Sequence, residues 1–269
     1  MLHTNPNLFL VCENSNSRSG GPRYFEALKN LRVTSSFLII QHLLGFIDSP
    51  CLKSIEIYPV TYQLRPGDGL EPEDLFTPSM TIVSSKWSQS LKNLVISSST
   101  ASDTSHYSIS KCLISLKDLR NMHNFRLDWR MKTSDFDDDI LGLVTSWPKL
   151  VTLNLNQIQI SLWDLKRIAE YCPELRHLNI QLNTSYIPHS NVSRKSLHHN
   201  LEDLTVEGAQ PSSNSADTKT TLECQIKVAR HLDLTFPYLK SLNVQYDDVF
   251  WSGIRDLVHL CQNASLSRV

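Results

Sequence analysis

One apolar-polar pattern recurs along this chain: an apolar residue, two variable ones, then two more apolar residues separated by a single variable one. It reads LKNLRV from Leu28, LKSIEI from Leu52, LKNLVI from Leu91 and MHNFRL from Met122. It continues as LVTLNL from Leu150, LRHLNI from Leu175, LEDLTV from Leu201 and LKSLNV from Leu239. Side chains alternate across a strand, so each copy predicts a short strand with Leu, Ile or Val on one face and polar residues on the other. Four copies carry a proline two residues ahead of the first anchor, at Pro50, Pro148, Pro173 and Pro237. Proline lacks a donor and disfavours helix in the residue before it, so it ends whatever helix precedes the strand.

Helical stretches fall between the strands, over 37–48, 108–119, 134–147, 161–172, 221–236 and 248–261. The stretch 134–147 opens with Ser and Asp residues that suit a helix N-terminus. At 161–172, Ser161 with Asp164 three residues on predicts a capping box. Two segments rich in Pro, Gly, Ser and Asp, near 60–86 and 208–220, read as surface loops, as does 183–200. Residues 1–20 read as a disordered or truncated lead-in, and 21–269 as a single domain of about eight degenerate repeats. The final NASLSRV reads as a ninth strand cut short.

Copies spaced by 24 to 39 residues carry the signature of a leucine-rich repeat. Strand-then-helix repetition would also suit a closed eight-stranded barrel. There, however, both sheet faces are covered and strands read as nearly continuous apolar runs. Here alternate positions are polar, as in Thr152, Asn154 and Asn156 or His177, Asn179 and Gln181. The predicted fold is therefore α/β, an open leucine-rich-repeat solenoid with a parallel concave sheet and outer helices.

Composition narrows the function classes. Net charge over 269 residues is −1, and the basic residues are scattered along the sequence, which gives no electrostatic case for nucleic acid or an anionic membrane. No run of 18 apolar residues occurs, and the LFLVC run near the N-terminus lacks the flanks of a signal peptide. The six cysteines are dispersed without a C-x-x-C pair, so four or five are expected to pack as small core residues in a reducing compartment, cytoplasmic or nuclear. Candidate chemistry is thin. The acidic run Asp135, Asp137, Asp138 and Asp139 lacks the glycine and closing glutamate of a calcium loop and reads as a helix start. His198 and His199 have no third ligand nearby, a poor zinc site. Cys172 or Cys224 as a nucleophile would need a positioned base. No cofactor or metal is expected, and the chain is expected not to be an enzyme.

The block from Trp147 to Cys261, with SWPKLVTLNL, SLWDLKRIAEYCPELRHLNI and ARHLDLTFPYLKSLNVQ, resembles the leucine-rich-repeat region of fungal F-box domain-containing proteins. The likeness is good over roughly 110–265 and looser over 21–110. It departs at the ninth repeat position, where the usual Asn or Cys survives only as Asn183, and no F-box motif is visible. The resemblance implies the substrate-recognition region of a ubiquitin-ligase receptor, reaching a ligase adaptor only through an F-box upstream. The alternative is a stand-alone scaffold. Either way a protein partner is expected on the concave strand face, with no nucleic acid and no membrane. The candidate residues there are Arg32, Glu56, Tyr58, Arg126, Asp128, Asn154, His177, Asn179, Gln181, Glu207, Asn243 and Gln245.

Overall fold

A computed structural model describes residues 9–14, 27–60, 72–97, 113–128, 138–184, 199–207, 218–244 and 249–266. The chain divides into two compact units, Met1–Leu150 and Val151–Val269. In the first, β1 (Phe9–Asn14) pairs antiparallel with β2 (Leu28–Ser35). Then β3 (Ser54–Pro59), β4 (Asn93–Ser97) and β5 (Asn124–Asp128) add in parallel, each beside its predecessor. Between them lie α1 (Phe37–Phe46), α2 (Pro72–Trp87) and a 3₁₀ turn at Ile114–Asp118; α3 (Asp138–Val144) follows β5. In the second unit the parallel strands are β6 (Thr152–Ser161), β7 (His177–Asn183), β8 (Asp203–Glu207) and β9 (Ser241–Val244). Its helices are α4 (Leu162–Tyr171), α5 (Thr218–Thr235) and α6 (Val249–Leu266). Among the described residues β1 pairs with β2 alone and β9 with β8 alone, so the strand order does not close on itself. The fold is the open α/β leucine-rich-repeat solenoid that the repeats predict.

The repeat anchors are the core. Every one is buried except Val244, which is half-buried on the last strand. Registers stack them directly: Leu31 faces Ile55, Ile55 faces Leu94, and Leu94 faces Phe125. In the second unit Leu153, Leu178, Leu204 and Leu242 do the same. Each buried anchor contributes roughly 1.5–3 kcal/mol.

The prolines act through a turn. The anchor N–H donates to the carbonyl three residues back at Leu52 to Ser49, Leu150 to Trp147, Leu175 to Cys172 and Leu239 to Phe236, at 3.1–3.2 Å. Proline is thereby the second residue of a four-residue turn, the place where its fixed φ is already correct. Side-chain donors then link three of these turns to an adjacent layer. Trp87 Nε1–H donates to Ser49 O at 2.9 Å, Trp147 Nε1–H to Leu116 O at 3.1 Å, and His199 Nε2 lies 2.8 Å from Cys172 O.

Several expectations are corrected. The segment near 60–86 is no simple loop, because 72–87 forms α2. Pro72 sits at the helix start, where its missing N–H costs nothing, and Phe76, Met80, Val83 and Trp87 bury one helical face. Lys86 on that helix donates to the carbonyls of Leu44, Gly45 and Ile47, capping the C-terminal end of α1. Around 108–119 the described residues form a 3₁₀ turn rather than a full helix. Within the expected lead-in, Phe9–Asn14 is a strand. The expected ninth strand is overturned too, since residues 263–266 continue α6. Of the four cysteines in described segments with described side chains, only Cys172 is buried. Cys51 is exposed in its turn, and Cys224 and Cys261 are half-buried on helices. The expected cap is present: Ser161 Oγ accepts from the Asp164 N–H at 3.1 Å and its hydroxyl donates to Asp164 Oδ2 at 2.5 Å. The expected loop at 208–220 lies largely outside the described residues, as do Asp135 and Asp137.

Candidate functional site

Strand register sorts the polar face of each sheet into rows. In the first unit, Asn30, Ser54, Asn93 and Asn124 form one row, and Arg32, Glu56, Val95 and Arg126 the next. The structure brings Arg32, Glu56 and Tyr58 together. Arg32 Nε is 3.6 Å from Glu56 Oε2, its guanidinium lies 4.6 Å from the Tyr58 ring centroid, and the Tyr58 hydroxyl donates to Glu56 Oε2 at 3.1 Å. Burial, and then the bond to Glu56, raise the Tyr58 pKa. Arg126 lies 3.4 Å from Asp128, which also accepts from Ser97 at 3.3 Å. Asn124 Nδ2 donates to Asn93 Oδ1 at 2.5 Å, so this asparagine pair is a structural cross-strand bond. Each charge in these clusters has a partner of opposite sign.

The second unit is arranged differently. Thr152, His177, Asp203 and Ser241 form its first row; Asn154, Asn179, Thr205 and Asn243 the second; Gln159, Gln181 and Glu207 the third. Asp203 has a partner on each oxygen. It accepts from Ser241 Oγ at 2.7 Å, and His177 Nδ1 lies 2.7 Å away. The Ser241 bond first, then His177, hold its carboxyl below the ordinary value. Asn243 Nδ2 donates to Ser241 Oγ at 3.1 Å. Gln181 is half-buried in the third row, and Gln245 lies outside the described residues.

The asparagines of β6 and β7 are unlike those of β4 and β5. The side-chain oxygens of Asn154, Asn156 and Asn179 are buried and have no hydrogen-bond partner among the described residues. Asn179 cannot escape by exchanging its oxygen and nitrogen. Its Nδ2 donates to Glu207 Oε1 at 3.2 Å, and a flip would set oxygen against carboxylate. A bulge explains Asn156. Residues 156–158 are extra between the pairs Leu155–Ile180 and Gln159–Gln181. The bulge turns Ile158 into the core and leaves Asn156 beside Asn154 on the polar side. Glu207, only 7% exposed, completes an acceptor-rich patch. Sequence reasoning singled out Asn154, Asn179 and Glu207 but not Asn156 as a site residue. The adjacent polar pair Asn156–Gln157, which breaks the alternation of NLNQIQ, was the available signal for a bulge.

His199, dismissed as a zinc ligand, is a buried structural residue. Its Nδ1 accepts from the Leu201 N–H at 3.1 Å while Nε2 donates to Cys172 O, so the ring is neutral. His231 is buried likewise, with Nε2 at 2.9 Å from Leu162 O. Burial lowers both pKa values below the ordinary 6.5. The unfolded chain therefore takes up protons that the folded one refuses. Stability is expected to fall as pH drops from about 6.5 towards the depressed values, and the double variant His199→Gln/His231→Gln should flatten that slope in urea titrations at pH 7 and pH 5. An unchanged slope would mean that these rings are not the groups that take up the protons. Burial pushes the Cys172 thiol up to about 12, which leaves it protonated and a poor nucleophile. Among the described residues no group of three or more His, Cys, Asp or Glu could hold a metal, and no helix is long and apolar enough to cross a membrane.

The class defined by fold and surface is thus a leucine-rich-repeat solenoid with an acceptor-rich strand face. No family model matches the sequence, and no curated protein does. Among solved structures, one similar chain is "Leiomodin-1 Actin-Binding Site 2 (ABS2)", at 8% identity and a TM-score of 0.31, over 87% of this chain and 94% of that one.

Proposed function

We propose that this chain is a non-catalytic protein-interaction solenoid, with the polar strand face of the second unit as a partner site. The observation that supports it is the set of oxygens on Asn154, Asn156 and Asn179 that have no partner among the described residues, beside the buried Glu207. A buried acceptor left without a donor costs about 1–3 kcal/mol. The three asparagines are themselves only half-buried. An outward turn of each amide lets it accept from a partner's N–H groups, from its backbone or from Lys or Arg, which removes that cost on binding.

The test separates a structural from a binding role. Asn154→Leu is expected to leave the melting temperature unchanged or raised, because it deletes an unsatisfied amide. The same change should abolish co-purification of whatever protein the tagged wild-type chain enriches from its native cells. A marked loss of stability, or unaltered co-purification, would overturn the assignment.

The finer reading, the substrate-recognition region of an F-box-type ubiquitin-ligase receptor, rests on the resemblance of its repeats to that family. The stand-alone scaffold is its rival. The same purification decides between them: enrichment of a ligase adaptor and cullin supports the receptor, and their absence beside another enriched protein supports the scaffold.

A further inference from the structure

One repeat position forms its own row just after the first anchor of each copy. In the first unit the N–H of Lys53 donates to Lys29 O, that of Lys92 to Lys53 O and that of His123 to Lys92 O, each at 2.8 Å. Lys29, Lys53 and Lys92 therefore stand on consecutive layers, roughly 4.8 Å apart along the sheet. All three are exposed. None of the ion pairs or side-chain hydrogen bonds among the described residues involves their ammonium groups.

The second unit shows what the same position looks like when it is neutralised. There it holds Arg176, Glu202 and Lys240, stacked by the same backbone bonds. Glu202 lies 3.9 Å from Arg176 and 3.0 Å from Lys240, and the Lys240 bond leads in lowering its pKa. One acid between two bases closes that row on itself. Three bases without an acid do not. Like charges on neighbouring strands repel, and at this spacing the screening of physiological salt is incomplete. The row contributes nothing to folding that neutral side chains would not.

We propose that the lysine row Lys29–Lys53–Lys92 is a binding site for an acidic segment of a protein partner, a short run of Asp or Glu that lays carboxylates along it. Three charges over about 10 Å suit such a run. They are too few for duplex or single-stranded nucleic acid, which wants many phosphate contacts or a platform of stacking rings. The proposal shares with the preceding section the reading of the chain as a protein binder, but it uses other residues on the other unit.

Fluorescence anisotropy on the whole chain tests it, with labelled hexaglutamate as probe at about 50 mM salt, where screening is weak. Saturable binding is expected. It should weaken roughly tenfold in the triple variant Lys29→Gln/Lys53→Gln/Lys92→Gln, since each exposed pair is individually weak. The triple arginine variant should retain it, and Lys240→Gln, in the paired row, should not alter it. The triple glutamine variant should melt at the same or a higher temperature, which excludes misfolding as the cause. Asn154→Leu should leave hexaglutamate binding intact, so failure of the asparagine site and failure of the lysine row are distinguishable. Absence of saturable binding by the wild type, equal binding by the glutamine variant, or tighter binding of a six-nucleotide single strand or of anionic vesicles would each overturn the proposal.

Discussion

Trp147→Ala is expected to cost about 3–5 kcal/mol of unfolding free energy, the largest single-residue effect predicted for this chain. Trp147 has no exposed surface. Its ring packs against Phe125 with centroids 4.9 Å apart, and its indole N–H donates to Leu116 O at 3.1 Å. Its own carbonyl is the acceptor of the turn that starts the next strand. Truncation therefore opens a cavity and strands a buried carbonyl at once. Trp147→Phe keeps most of the volume and loses only the donor, so about 1–3 kcal/mol is expected. Urea titration of both variants gives the two contributions separately. Near-equal losses would show that the hydrogen bond, and not the packing, is what the residue supplies.

Leu153→Ala ranks second, at about 2–5 kcal/mol. Leu153 is fully buried in β6, in register with the buried Leu178 of β7. The equivalent anchor of β9, Leu242, stands beside the half-buried Val244 on a strand that pairs on one side among the described residues. Leu242→Ala leaves a cavity that solvent or a shift of the strand can relieve, so it should cost less than Leu153→Ala. Such a gradient is expected where each repeat is stabilised by its neighbours. A loss below about 1 kcal/mol for Leu153→Ala would remove that leucine from the core.

The strands and their anchors were legible because a strand is a local pattern: Leu150, Leu153 and Leu155 sit within six residues of sequence. Ser161 and Asp164 were legible for the same reason, as a cap that spans four residues. What escaped is whatever stacking creates. Lys29, Lys53 and Lys92 look scattered along the chain, yet the backbone sets them side by side; the clue was that four copies open with Leu-Lys, three of them consecutive. His199 gave no signal at all, since nothing local says that its ring will bridge two turns. The helix α2 was hidden by Pro72, Pro78 and its serines, which in composition outweighed the spacing of Phe76, Met80, Val83 and Trp87. The asparagines illustrate the limit most plainly. Asn93 and Asn124, at the third repeat position, bond to each other, whereas the side-chain oxygens of Asn154 and Asn179, at the fifth, have no partner among the described residues.

The backbone bonds that stack Lys29, Lys53 and Lys92 use no side-chain atoms, and the same bonds hold Val151, Arg176, Glu202 and Lys240. Anchor positions are constrained by volume, but this neighbouring position is indifferent to what it carries. Lineages of such chains are thus free to rewrite it one residue at a time, changing the sign of a surface stripe without passing through an unfolded ancestor. Divergence in ligand preference should accumulate there first, at a place adjacent to the most constrained residues in the molecule.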